Sequence, residues 1–168
     1  SLLAIGASPI MARSPREVEE IAANCDALAL NLGTLEVDSA QAMILAGKSA
    51  FQHHKPIVFD PVGVGATAFR RNSADIIIKT CHPTVIKGNA AEIMALYTHQ
   101  IGNTSIDSSV ETGKVESIAK QVANNLSCVI VVSGSKDIIT DGTQTAYVTE
   151  GHSLMARVTA MGCTATGI

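Results

Sequence analysis

The sequence predicts an α/β fold: a three-layer, doubly wound, mostly parallel sheet flanked by helices, with a terminal β-hairpin. Three observations lead there. Hydrophobic residues make up 46% of the 168-residue chain while aromatics supply only 3% and charged residues 16%, so the core must be built from Ala, Val, Ile and Leu, a mixture suited to a sheet buried on both faces. Short apolar runs alternate four times with segments of helical period before two final β-rich runs. Each polar or glycine-rich cluster directly follows an apolar run, and open α/β sheets carry their ligands beyond the carboxyl ends of their strands. This length suits one domain, residues 1–168, burying about two thirds of its unfolded surface.

The elements follow in order. Ser1–Ile5 reads as the tail of a helix ending at Gly6. Ser14-Pro15-Arg16-Glu17 has the pattern of a capping box with proline at the first helical position, which predicts a helix over 15–24. Asp26–Asn31 is a short buried strand that breaks at Leu32-Gly33-Thr34, and a helix over about 38–52 comes next. Lys55–Asp60 is the second strand. Its exit, Pro61-Val62-Gly63-Val64-Gly65-Ala66-Thr67, leads into a helix around 70–80. Thr84–Lys87 forms the third strand, and Gly88-Asn89 caps a helix over Ala90–Tyr97. The polar stretch Thr98–Gly113 reads as a loop, 114–126 as a helix and Cys128–Val132 as the fourth strand. Ile138–Thr140 and Gln144–Thr149 flank Asp141-Gly142 as a hairpin. The C-terminus falls within the first turn of one more helix, so the chain is expected to be incomplete at both ends.

Composition narrows the function. A net charge of −3 and the lack of any basic run argue against nucleic acid or an acidic membrane as partner, and favour a small molecule. Cys25, Cys81, Cys128 and Cys163 show no CxxC spacing, so neither zinc nor a dithiol redox pair is indicated. With no signal peptide and no apolar run of membrane-spanning length, a cytoplasmic location is expected.

The chemistry concentrates at predicted strand exits. Asp60 ends a buried strand, and Glu92 lies in the first turn of the helix after Asn89. Either alone reads as a cap or a carboxylate favoured by the helix dipole. Together they can hold a hydrated Mg²⁺, which takes one or two carboxylates plus phosphate oxygens, while Lys87 offers a point charge to phosphate. Nucleotide binding cannot rest on a Walker loop: Gly47-Lys48-Ser49 mimics its end, but position 42 is Ala and the segment is mid-helix. Cys163 follows Met161-Gly162 where a helix begins, a setting in which glycine permits close backbone approach beside a thiol. Cysteine as a small buried apolar residue is the competing reading there, and the preferred one at Cys25, Cys81 and Cys128.

Five segments carry a resemblance: Gly6–Ala12, Asn31–Leu35, Asp60–Thr67, Pro83–Ile93 and Val158–Cys163. In register from end to end, the chain resembles hydroxyethylthiazole kinase, a thiamin-salvage enzyme of ribokinase-like fold. The resemblance implies transfer of the ATP γ-phosphate to the hydroxyl of 4-methyl-5-(2-hydroxyethyl)thiazole, with Mg²⁺, in a homotrimer whose sites lie at subunit interfaces. It implies that Met11 contacts the thiazole, that Asp60 and Glu92 are the magnesium-associated acids, and that Lys87 and Ser133 contact ATP. It further implies that Ala160 and Gly162 belong to the substrate-binding turn and that Cys163 stands where most ribokinase-like enzymes place a catalytic aspartate.

Departures from the family pattern carry expectations of their own. Ala160 replaces a glycine, which is tolerated while φ stays negative. Lys87 replaces an arginine, keeping the charge and losing the bidentate fork. Family members also begin with a further strand and half-helix and continue beyond the cysteine with several helices. Two other readings are a ribokinase-like kinase of the hydroxymethylpyrimidine or pyridoxal type, which an aspartate at 163 would have favoured, and a noncatalytic ligand-binding fragment.

Overall fold

In a computed structural model of the protein, residues 2–101, 112–158 and 160–167 are described. Six strands form one sheet in the order β1 (Leu28–Asn31), β2 (Ile57–Asp60), β3 (Val85–Asn89), β4 (Val129–Ser133), β5 (Asp137–Thr140) and β6 (Thr145–Val148). The first four are parallel; β5 and β6 are antiparallel and make the expected terminal hairpin. Helices α1 (Val18–Asn24), α2 (Val37–Gln52), α3 (Ala68–Cys81), α4 (Ala90–Ile101), α5 (Thr112–Leu126) and α6 (Met161–Thr166) complete the α/β architecture.

Register explains where the core lies. Leu30 pairs with Phe59, Phe59 with Ile86 and Ile86 with Ile130, so these side chains share one face with Val132 and Ile138. All six are buried. Strand order runs without reversal through β1–β4, and buried residues of α1–α5 join the same core cluster as this face. The alternate positions Val58, Val85, Val129, Val131 and Ile139 are only half-buried. Asn31, Asp60, Lys87, Asn89 and Ser133 fall on this second face, and α6 contacts β2 there.

Several local expectations need correction. The Ser14 capping box does not form: residues 15–17 make a turn in which the Glu17 and Val18 amides donate to Ser14 O, and α1 starts at Val18. A reciprocal box appears instead at α2, between Glu36 and Ser39. The stretch read as a loop from Thr98 is helical through Ile101 and again from Thr112, and residues 102–111 lie outside the described residues. At the amino end, Leu2–Ile5 is one 3-10 turn closed by Gly6 in the left-handed region. Gly47 is indeed mid-helix, where it admits the Cys81 side chain against α2.

Candidate active site

At the carboxyl edge of β1 the Asn31 amide is oriented from both sides. Its Oδ1 accepts from the Gly33 amide at 2.7 Å, which turns Nδ2 toward Asp60 Oδ2 at 2.9 Å. Asp60, paired with Asn31 across β1 and β2, is 3% exposed. Thr166, from the last turn of α6, donates to the same Oδ2 at 2.7 Å. Burial raises the Asp60 pKa above its usual value, and the Glu92 charge adds to that. The Thr166 hydroxyl, the Lys87 charge and the Asn31 amide oppose it without reversing it.

Glu92 bridges two strand exits. Asn89 caps α4 by accepting from the Glu92 amide at 2.9 Å, and Glu92 Oε2 accepts from the Asn89 amide at 2.8 Å. Its Oε1 accepts from the Gly63 amide at 2.9 Å, beyond β2. Two residues make this clamp possible. Gly63 sits at φ +63°, a conformation glycine adopts without a Cβ penalty. Gly88 leaves room for the carboxylate, since a Cβ there would lie 3.1 Å from Glu92 Oε2.

Lys87 lies one residue beyond the Phe59–Ile86 pair, level with Asp60. Its ammonium donates to Gly162 O at 2.9 Å and thereby reaches the turn in front of Cys163. Ser133, paired with Asn89, donates to Gly88 O at 3.4 Å. A cleft of about 190 Å³ results, lined by Asp60, Lys87, Glu92, Ser133, Gly162 and Cys163 among others.

Ala160 contradicts its expectation. It caps α6 at φ 63° and ψ 15°, in the left-handed region that an alanine Cβ disfavours. The turn needs this conformation to start α6 at Met161, and the Thr164 amide closes it on Ala160 O at 2.9 Å.

Mg²⁺ can be tested against this donor set. No group of three or more His, Cys, Asp or Glu that could hold a metal occurs among the described residues. A hydrated Mg²⁺ needs no such cage, because phosphate and water fill most of its six positions. Both oxygens of Glu92 already accept a backbone N–H, which suits contact through water, while no described residue hydrogen-bonds Asp60 Oδ1. The two carboxylates repel one another, and a cation between them relieves that. The residues fit.

The family model described as the hydroxyethylthiazole kinase family matches residues 1–168. The chain belongs to the hydroxyethylthiazole kinase family. A solved structure of a hydroxyethylthiazole kinase protein from Pyrococcus horikoshii OT3 is 36% identical and superposes with a TM-score of 0.89, covering 99% of this chain. The chain spans 61% of that protein's length. A putative 2-keto-3-deoxygluconate kinase from Enterococcus faecalis shares the fold, with a TM-score of 0.58 at 13% identity over 80% of this chain and 44% of that one.

Seven of the eight residues expected from the sequence of this hydroxyethylthiazole kinase family member line one cleft: Asp60, Lys87, Glu92, Ser133, Ala160, Gly162 and Cys163. Met11 does not; it is 88% exposed in an irregular stretch. Sequence reasoning gave no role to Asn31 or Thr166. Asn31 carried a usable signal, a polar residue ending an apolar strand. Thr166 carried none, because its meeting with Asp60 spans 106 positions.

Proposed function

We propose that this chain provides the catalytic centre of an ATP-dependent kinase for the primary hydroxyl of 4-methyl-5-(2-hydroxyethyl)thiazole, a salvage step toward thiamin in the cytoplasm. The observation that carries the reading is the convergence, in one cleft, of Asp60, Glu92 and Lys87 from strand exits with Cys163 from α6.

Phosphoryl transfer through a loose transition state asks for positioning and charge stabilisation more than for a strong base. Asp60 and Glu92 would hold Mg²⁺, which when bound neutralises charge on the phosphate oxygens. Lys87 presents its ammonium to the transferring phosphoryl group while anchored on Gly162 O. The amides of the Gly162-Cys163 turn receive charge from the γ-phosphoryl oxygens. Cys163 positions the alcohol and accepts its proton, and Ser133 contacts the nucleotide. Ala160 and Gly162 shape the wall against which the substrate lies.

Met11 fits a role across a subunit boundary. It belongs to an apolar, exposed amino-terminal stretch with Leu3, Ile5 and Ile10, and a homotrimer would cover such side chains and bring Met11 to the thiazole of a neighbouring site.

The test is a coupled assay of ADP and thiazole phosphate formation with Mg²⁺, ATP and the thiazole alcohol, run beside Cys163→Ala and Asp60→Ala. The expected outcome is stoichiometric product, a loss of about 10²–10³ in rate for Cys163→Ala, and loss of Mg²⁺ activation for Asp60→Ala. Phosphorylation of a hydroxymethylpyrimidine or pyridoxal in place of the thiazole would overturn the substrate assignment. Because the chain spans 61% of its relative's length, a noncatalytic ligand-binding fragment is the second reading. Calorimetric binding of thiazole and an ATP analogue without turnover identifies it.

A further inference from the structure

The geometry points to Thr166 as a positioning residue of this site, one that fixes which Asp60 oxygen faces the cleft and couples that carboxylate to the Gly162-Cys163 turn. This rests on the kinase reading above. Thr166 Oγ1 lies 2.7 Å from Asp60 Oδ2 and 3.0 Å from Gly162 O. A hydroxyl has one proton to give, and the shorter contact to a carboxylate is the stronger acceptor. Gly162 O is not left short, since Lys87 donates to it at 2.9 Å. The proton therefore belongs to Asp60.

Its effect on the carboxylate is specific. Asn31 Nδ2 and Thr166 Oγ1 both occupy Oδ2, from β1 and from α6. With two donors on one oxygen, the carboxylate cannot rotate without breaking both bonds. No buried side-chain oxygen or nitrogen among the described residues lacks a partner, so the unbonded Oδ1 is the oxygen open to the cleft. That oxygen is the one available to a magnesium ion or its water. Partners that orient a metal-associated carboxylate in this way typically matter about 10–100-fold in affinity or activity.

The same bond docks α6. Thr166 is buried, whereas Gly162, Cys163, Thr164 and Ala165 are exposed, so its hydroxyl is the polar anchor between this six-residue helix and β2. Loss of the anchor frees the Asp60 carboxylate to turn, while Lys87 still holds the Gly162-Cys163 turn through Gly162 O. Thr166 is buried and does not line the cleft, so its removal is expected to affect turnover and metal affinity while leaving alcohol binding unchanged.

Thr166→Val, which keeps shape and removes the hydroxyl, and Thr166→Ser, which keeps the hydroxyl, separate this role from packing. Mn²⁺ titrated in the presence of saturating ADP, read by electron paramagnetic resonance, gives metal affinity without turnover. Thr166→Val is expected to weaken Mn²⁺ about tenfold and to lower kcat about 10–100-fold, with the thiazole KM within about twofold. Thr166→Ser should restore both to within about twofold of wild type. If Val leaves the protein unfolded in a thermal melt, Thr166→Ala carries the same expectation. Wild-type Mn²⁺ affinity in the hydroxyl-free variant overturns the proposal, as does equal impairment of the Ser and Val variants. A wild-type protein that binds Mn²⁺ and ADP yet leaves the thiazole unphosphorylated overturns the substrate reading alone, and the Mn²⁺ titration still decides Thr166.

Discussion

Lys87 Nζ donates to the Gly162 carbonyl at 2.9 Å, joining the middle of β3 to the turn in front of Cys163. An ammonium has three protons, so two remain for phosphate oxygens while the third holds the turn. Lys87→Met removes both functions and keeps the aliphatic stem. It is expected to lower kcat/KM for ATP about 10²-fold, measured at fixed thiazole. Lys87→Arg keeps the charge, but the planar fork cannot occupy the same single-bond geometry on Gly162 O, so only part of the loss is recovered. Normal ATP kinetics in Lys87→Met would remove Lys87 from the phosphate site.

Ala160 at φ 63° stores strain at the mouth of the cleft. A left-handed alanine costs about 1–2 kcal/mol, and glycine's greater chain entropy returns part of that, so Ala160→Gly should stabilise the protein by about 0.5–1 kcal/mol. The melting temperature then rises by about 1–4 °C. An unchanged or lower value in differential scanning calorimetry would show that the surrounding contacts, not the backbone, set this conformation.

Glu92 spends both oxygens on backbone amides, Gly63 beyond β2 and Asn89 at the end of β3. Glu92→Gln leaves one acceptor oxygen and turns an NH₂ toward a donor. Stability is expected to fall by about 1–2 kcal/mol, with faster amide exchange at Gly63 or Asn89. Unaltered exchange at both would mean that the clamp is not what holds these two exits together.

Local pattern made most of this readable in advance. Apolar runs ending at Asn31, Asp60, Lys87 and Ser133 marked the parallel strands, and Asp141-Gly142 marked the hairpin, because strand burial and turn chemistry act over a few residues. The site was legible for the same reason: strand exits in a parallel sheet converge whatever the sequence between them. What escaped depended on distance or on backbone angle. Thr166 becomes meaningful only once α6 lies over β2, and the positive φ of Ala160 has no trace in an Ala-Met-Gly-Cys sequence. Alternation of strand and helix did not reveal the unreversed strand order, since a crossover reads alike in either direction. Nor did it reveal the turn at Ser14, where the Glu17 and Val18 amides bond the Ser14 carbonyl and α1 begins at Val18.

Asp60 should be a stability liability kept for function. Burial raises its pKa, so the folded state holds that proton more tightly than the unfolded chain does. For a carboxylate whose pKa is raised, stability is highest when the group is protonated and declines as pH rises from the unfolded value through the folded one. Asp60→Asn keeps an acceptor for Asn31 and Thr166 and removes the buried charge. It is expected to raise the melting temperature at neutral pH, to lose that advantage on acidification below the carboxylate range, and to abolish Mg²⁺-dependent turnover. A melting temperature that falls at neutral pH would mean that the charged form is better solvated than its burial implies.

The four free thiols separate by environment. Burial pushes the Cys128 thiol up to about 11 and raises Cys81 as well, so both are neutral and shielded at neutral pH. Cys25 is half-buried, with its thiol donating to Ala22 O at 3.2 Å. Cys163 is exposed and lines the cleft. Iodoacetamide at neutral pH should therefore modify Cys163 first, followed by peptide mass mapping, with Cys81 and Cys128 labelled only after denaturation. ATP with Mg²⁺ and the thiazole alcohol should slow the reaction at Cys163 and leave Cys25 unaffected, because only the former shares the cleft with substrate. Labelling of Cys163 that is indifferent to both ligands would put the thiol outside the reacting geometry.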